Sequence, residues 1–88
     1  MFKLFFTGIS KKALKNLDKK IKKRIDKALI DLEIYPLPVD EYDIKRVSGR
    51  ISTWRIRISK YRIVYEIDWK NSEVNVLKIE KKDDETYR

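Results

Sequence analysis

Arg55, Arg57 and Arg62 fall within eight residues of one another, inside a run from Trp54 to Ile67 that alternates β-branched or aromatic residues with arginine. The run breaks at Ser59-Lys60 and then resumes, which reads as a β-hairpin. With the loop centred on Ser59-Lys60, Ile58 faces Tyr61, Arg57 faces Arg62, Ile56 faces Ile63, Arg55 faces Val64 and Trp54 faces Tyr65. Facing residues share a side of the sheet. Trp54, Ile56, Ile58, Tyr61, Ile63 and Tyr65 then make one apolar surface, and the three arginines gather on the other. Like charges set across a ladder repel. Their convergence therefore points to an anionic ligand, and the planar guanidinium fork suits phosphate.

The surroundings of the hairpin strengthen that reading. From Ile44 to Tyr65 there are seven cations (Lys45, Arg46, Arg50, Arg55, Arg57, Lys60, Arg62) and no acid. Over 88 residues, 22 Lys and Arg against 14 Asp and Glu give a net charge of +8. Such an excess favours nucleic acid or another polyanion as partner. Cysteine and histidine are absent, so disulfides, thiolate catalysis, the usual zinc site and the usual general base are excluded. Glycine occurs only twice, and no phosphate-cradling glycine loop can be built. The acids at Asp40-Glu41 and Asp83-Asp84-Glu85 are sequence neighbours and do not aim at one bond. Any chemistry must run on Arg, Lys and Tyr, which expects neither metal nor cofactor.

The length fits one domain over residues 1–88. No run is long enough for a membrane span, and a cytoplasmic location is expected. Phe2–Thr7 reads as a strand ended by Gly8. Ser10 is expected to cap a helix running to Leu17, with Asp18 restarting a second. Ile21, Ile25, Ala28, Leu29 and Leu32 follow helical periodicity until Pro36 and Pro38. The opposite face of that helix carries Lys19, Lys20, Lys22, Lys23, Arg24 and Lys27, interleaved with acids, and reads as a solvated face that extends the cationic surface. Tyr35–Asp43 is a connector, Lys45-Arg46-Val47 begins a strand, and Val74–Ile79 forms the last one after a turn at Asp68–Glu73. These elements predict an α+β fold. Two N-terminal helices pack on one face of a small, mainly antiparallel four-stranded sheet, leaving the arginine face uncovered.

The order of elements, together with Trp54, Arg55, Arg57, Tyr61, Arg62 and Tyr65 in a Trp-Arg-x-Arg-x-x-x-Tyr-Arg-x-x-Tyr pattern and a terminal Tyr87-Arg88, resembles the RelE/ParE superfamily of prokaryotic toxins, archaeal RelE in particular. Ser59 departs from the family's usual glycine. The resemblance implies a RelE-like microbial RNase fold. It also implies a toxin that enters the decoding site of the small ribosomal subunit and cleaves messenger RNA there, without a metal, by attack of the RNA's own 2′-hydroxyl on the adjacent phosphate. A RelB-like antitoxin is the implied partner. Arg62 matches the family's arginine on the second hairpin strand, which implies contact with the scissile phosphate. Arg55 and Arg57 stand where the best-described bacterial relatives have lysines. Arginine is a poor proton acceptor, so both are assigned to phosphate and the general base stays open. Lys82, or its neighbour Lys81, falls near the family's basic residue after the last strand, proposed as acid for the leaving oxygen. Tyr87 matches a tyrosine that stacks on a base or shares in proton transfer. Lys45, Arg46, Arg50, Lys60, Lys81 and Arg88 are assigned to RNA binding. The same hairpin occurs in the ParE branch, so a non-enzymatic inhibitor of DNA gyrase is the alternative, followed by a relative that binds RNA without cutting it.

Overall fold

The structure is a computed structural model and describes residues 1–82. Its elements are β1 (Lys3–Phe6), α1 (Gly8–Lys15), α2 (Lys19–Ile34), β2 (Asp43–Arg46), β3 (Thr53–Ile58), β4 (Tyr61–Asp68) and β5 (Glu73–Lys81). One sheet holds all five strands in the order β1-β5-β4-β3-β2. The β1–β5 pair is parallel and the other three are antiparallel.

The expected four-stranded sheet is thus corrected to five strands with a mixed edge. The strand left out of that count is β2, expected to begin at Lys45 but running over Asp43–Arg46, where a single apolar residue carries almost no alternation signal. It is held by pairing Ile44 with Ile56 and Lys45 with Arg55. At the other edge, β1 finds its parallel partner some seventy residues away, as the Thr7–Leu77 bond shows. No local pattern encodes that.

α2 forms because Ile21, Ile25, Ala28, Leu29 and Leu32 make one buried stripe. Asp18 starts it by accepting the Ile21 N–H at 3.2 Å. The stripe meets Ile56, Ile58, Ile63, Tyr65, Ile67, Val74, Val76 and Ile79 in a single core. Burying each such isoleucine contributes about 1.5–3 kcal/mol before entropy is counted. Tyr65 is fully buried, and its hydroxyl donates to the Pro36 carbonyl at 2.7 Å, tying the end of α2 to the sheet. Burial pushes its phenol well above the ordinary range.

α1 begins one turn earlier than expected. Thr7, not Ser10, is the cap: its Oγ1 accepts the Ser10 N–H at 3.1 Å and donates to the Leu77 carbonyl at 2.7 Å. Ser10 is instead buried, with its hydroxyl donating to the Val76 carbonyl at 3.0 Å. These bonds grip an irregularity in β5. Val64 pairs with Lys78 but Tyr65 pairs with Val76, so Leu77 is an extra residue. The extra residue lets Val74, Val76 and Ile79 all face the core, and it leaves Lys78 and Glu80 on the far side with the arginines.

Candidate active site on the open face of the sheet

The hairpin register is the one expected, with Arg57 opposite Arg62, Arg55 opposite Val64 and Trp54 opposite Tyr65. Two rows of side chains cross the uncovered face. Asp43, Arg57, Arg62 and Glu80 lie in register across four strands, and beside them lie Lys45, Arg55, Val64 and Lys78. A shallow groove of about 300 Å³ runs over this surface, lined by Lys45, Arg46, Arg55, Arg62, Lys78 and Glu80 among others.

The face is not free of acids. Arg62 Nε donates to Glu80 Oε2 at 2.6 Å, and Lys78 Nζ lies 3.7 Å from the other oxygen of that carboxylate. Arg55 Nη1 is 3.6 Å from Asp43 Oδ2, an ion pair too long for a hydrogen bond, and that nitrogen is buried with no hydrogen-bond partner among the described residues. Both carboxylates lie outside the acid-free segment Ile44–Tyr65 and are carried in by the flanking strands. The Arg62–Glu80 pair is about a third exposed on both sides, and exposed pairs of this kind hold by only about 0–1 kcal/mol. A phosphate can compete for these arginines. Among the described residues, the groove remains cationic, with five lysines and arginines against one glutamate.

The predicted residues are divided among neighbouring places. Arg55, Arg62, Lys45 and Arg46 share the groove. Arg57 is exposed on the same face but lines a second hollow of about 230 Å³ with Arg24, Lys27, Tyr42 and Asp43. Lys60 and Lys81 lie at the hairpin tip, in a hollow of about 510 Å³ shared with Lys20, Arg24 and Tyr61. Lys82 follows β5, its backbone N–H donating to the Lys60 carbonyl at 2.6 Å. Arg50 is exposed in the turn after β2, away from these hollows. Tyr87 and Arg88 lie outside the described residues. Sequence reasoning missed Lys78 and Glu80, whose alternation with Ile79 was the available signal, and it read Arg24 as part of a solvated face extending the cationic surface without assigning it to the site. Tyr61 and Trp54 are half-buried against the core rather than presented to the groove.

Among the described residues, no group of three or more His, Cys, Asp or Glu is placed to hold a metal ion. No helix is long and apolar enough to cross a membrane.

This geometry has counterparts in known proteins. The family described as the ParE toxin of type II toxin–antitoxin systems, parDE, matches residues 5–85. The chain belongs to this RelE/ParE toxin family. A member from Methanocaldococcus jannaschii named toxin RelE1 is 31% identical over 72 residues, 82% of this chain and 80% of its own. The RelE–RelB complex of Pyrococcus horikoshii OT3 contains a chain that superposes with a TM-score of 0.84 at 25% identity, covering 94% of this chain and 97% of the other. The isolated Escherichia coli RelE toxin superposes with a TM-score of 0.81 at 21% identity, over 99% of this chain and 92% of its own. Such toxins thus share the fold described above.

Proposed function

We propose that this protein is the toxin of a RelBE-type toxin–antitoxin pair and acts as a ribosome-dependent endonuclease on messenger RNA in the decoding site of the small subunit. The observation that carries the reading is the groove in which Arg55 and Arg62 converge with Lys45, Arg46 and Lys78. Cleavage through the RNA's own 2′-hydroxyl builds negative charge on the phosphate as the new bond forms. Fixed guanidiniums aimed at that charge lower the barrier without having to reorganise. Arg62 contacts the scissile phosphate, and Arg55, with its orphaned Nη1, and Arg57 hold the phosphates beside it. By family resemblance, Lys82 or its neighbour Lys81 is assigned to protonating the leaving oxygen, and Tyr87 to stacking on a base or sharing in the proton transfer. Solved relatives described as RelE–RelB complexes, from Pyrococcus horikoshii and Methanococcus jannaschii, support a RelB-like antitoxin as the partner that keeps the toxin silent.

The test is primer extension on a message translated in the presence of the purified protein. Cuts within codons of the open reading frame are expected, and Arg62→Ala should lower their rate on the order of a hundred- to a thousandfold. An unbroken message on stalled ribosomes sinks the proposal. The match to the ParE family favours one second reading, inhibition of DNA gyrase by binding. Loss of supercoiling activity with message left intact would establish that reading instead.

A further inference from the structure

Cleavage by a 2′-hydroxyl requires a proton acceptor, and the arginine-rich groove looks poorly supplied with one. Guanidiniums do not deprotonate in proteins, and lysines hold their protons near neutral pH. Among the described residues, Glu80 is the one charged side chain lining the groove that has a basic oxygen. Its neighbours fix it in place. Arg62 stands directly across the strand pair, its Nε binds Oε2 at 2.6 Å, and Oε1 is left 3.7 Å from Lys78 Nζ, beyond hydrogen-bond range. Both side chains are about a third exposed, so water and ligand reach them. A base held by a third group and presenting one open lone pair is the arrangement that acid–base catalysis requires.

We propose that Glu80 is the general base of the RNA cleavage, an assignment that rests on the nuclease reading above. Oε1 takes the proton of the 2′-hydroxyl as O2′ bonds to phosphorus and the bond from phosphorus to O5′ breaks. The departing O5′ takes a proton from Lys82 or Lys81, the acid assigned to it above, or from water. The products are a 2′,3′-cyclic phosphate and a 5′-hydroxyl, and Glu80 returns its proton to solvent. One guanidinium thereby serves both partners of the step: Arg62 orients the base through Nε and offers its remaining N–H groups to the phosphate. Glu80 also explains how the site manages with Arg55 and Arg57, neither of which can accept a proton.

The competing view is that Glu80 only screens Arg62 until RNA arrives, and the two views predict opposite signs. Glu80→Gln keeps size and shape but removes the basic oxygen. Single-turnover cleavage on programmed ribosomes should fall by roughly a hundred- to ten-thousandfold, the usual contribution of a general base. Binding of a message carrying a 2′-deoxynucleotide at the cut site should be unchanged or tighter. The decline of rate toward acid pH should disappear in Glu80→Gln and persist, on a slower reaction, in Glu80→Asp. Cleavage by Glu80→Gln at or above the wild-type rate overturns the proposal and leaves Glu80 as a screen. Loss of binding together with cleavage also overturns it, because the carboxylate would then be holding the groove in shape. If the wild-type protein cuts nothing, the nuclease reading itself has failed and this assignment falls with it. If the wild type cuts and the Glu80→Gln profile matches it, the assignment alone has failed.

Discussion

Tyr42 shows how one side chain outside the groove helps hold the strand at its edge. Its hydroxyl donates to Asp31 Oδ2 at 2.6 Å, and Lys27 Nζ reaches the same oxygen at 3.0 Å. The Tyr42 bond, and after it the Lys27 bond, hold the Asp31 carboxyl below the usual carboxylate range. Burial, and then the bond to Asp31, push the Tyr42 phenol up. The bond anchors the connector to α2 one residue before β2 begins at Asp43, the carboxylate beside Arg55. Tyr42→Phe should destabilise the fold by about 1 kcal/mol at neutral pH, the order expected for one partly exposed bond to a charged group. The pH dependence follows from the depressed carboxyl. A group ionising more readily when folded stabilises the fold above its unfolded value and loses that contribution as pH falls through the folded one. The gap between wild type and Tyr42→Phe should therefore be full near neutrality and shrink below about pH 4. Urea denaturation at the two ends of that range checks it. A gap that stays constant with pH would mean that the hydroxyl contributes without drawing on the charge of the Asp31 carboxylate.

At the scale of elements, the β3–β4 hairpin turns on a strained residue. Ser59 sits at φ 57, in the left-handed region where a side chain costs about 1–2 kcal/mol. Glycine occupies that region freely. Ser59→Gly should therefore raise the unfolding free energy by about 1 kcal/mol without moving Arg57 or Arg62, whose positions the ladder fixes. Thermal unfolding and an unchanged cleavage pattern are the readouts, and a lowered melting temperature would show that the turn is not under strain. This hairpin was the most legible element in the sequence. Ile56, Ile58, Ile63 and Tyr65 can be buried together in one register only, because a slip by one residue would bury arginines. The stripe on α2 was legible for the same reason of period. What stayed hidden depended on contacts between distant segments. Thr7 and Ser10 look equally able to cap α1, and only the carbonyls of Val76 and Leu77 decide between them. The acids beside the arginines were hidden by register: Asp43 and Glu80 are far from Arg55 and Arg62 in the chain, and β2 and the bulged β5 bring them alongside. The arginines were visible as a set, but the partner that makes one of them chemically useful was not.

At the scale of the whole molecule, charge is sorted along the sheet. Asp68 and Glu73 face each other at one end of β4, near the exposed Trp69, whose ring meets Phe2 at 5.6 Å and Tyr35 at 6.0 Å. At the other end, the hairpin tip gathers Lys60 and Lys81 with Lys20 and Arg24 of α2. Arg24 also lines the hollow that holds Arg57 and Lys27, so one side chain joins the tip to the arginine-bearing strand. A polyanion lying in the groove therefore meets further cations around that end of the molecule. Binding of a short single-stranded RNA should weaken steeply with salt, because each phosphate neutralised releases counterions. Arg24→Ala should reduce affinity for all sequences alike and lower the slope of log affinity against log salt by about 0.7 for the one phosphate contact removed. The position of cutting should not move, since Arg24 lies outside the groove. Lys23→Ala removes the same charge from the adjacent residue on α2, which lines neither of those two hollows, and should leave the slope as it was. Equal losses in the two variants would mean that the RNA responds to net charge alone and that the track around the hairpin tip has no standing as a binding surface. A loss confined to Arg24→Ala would instead extend the RNA path beyond the open face of the sheet.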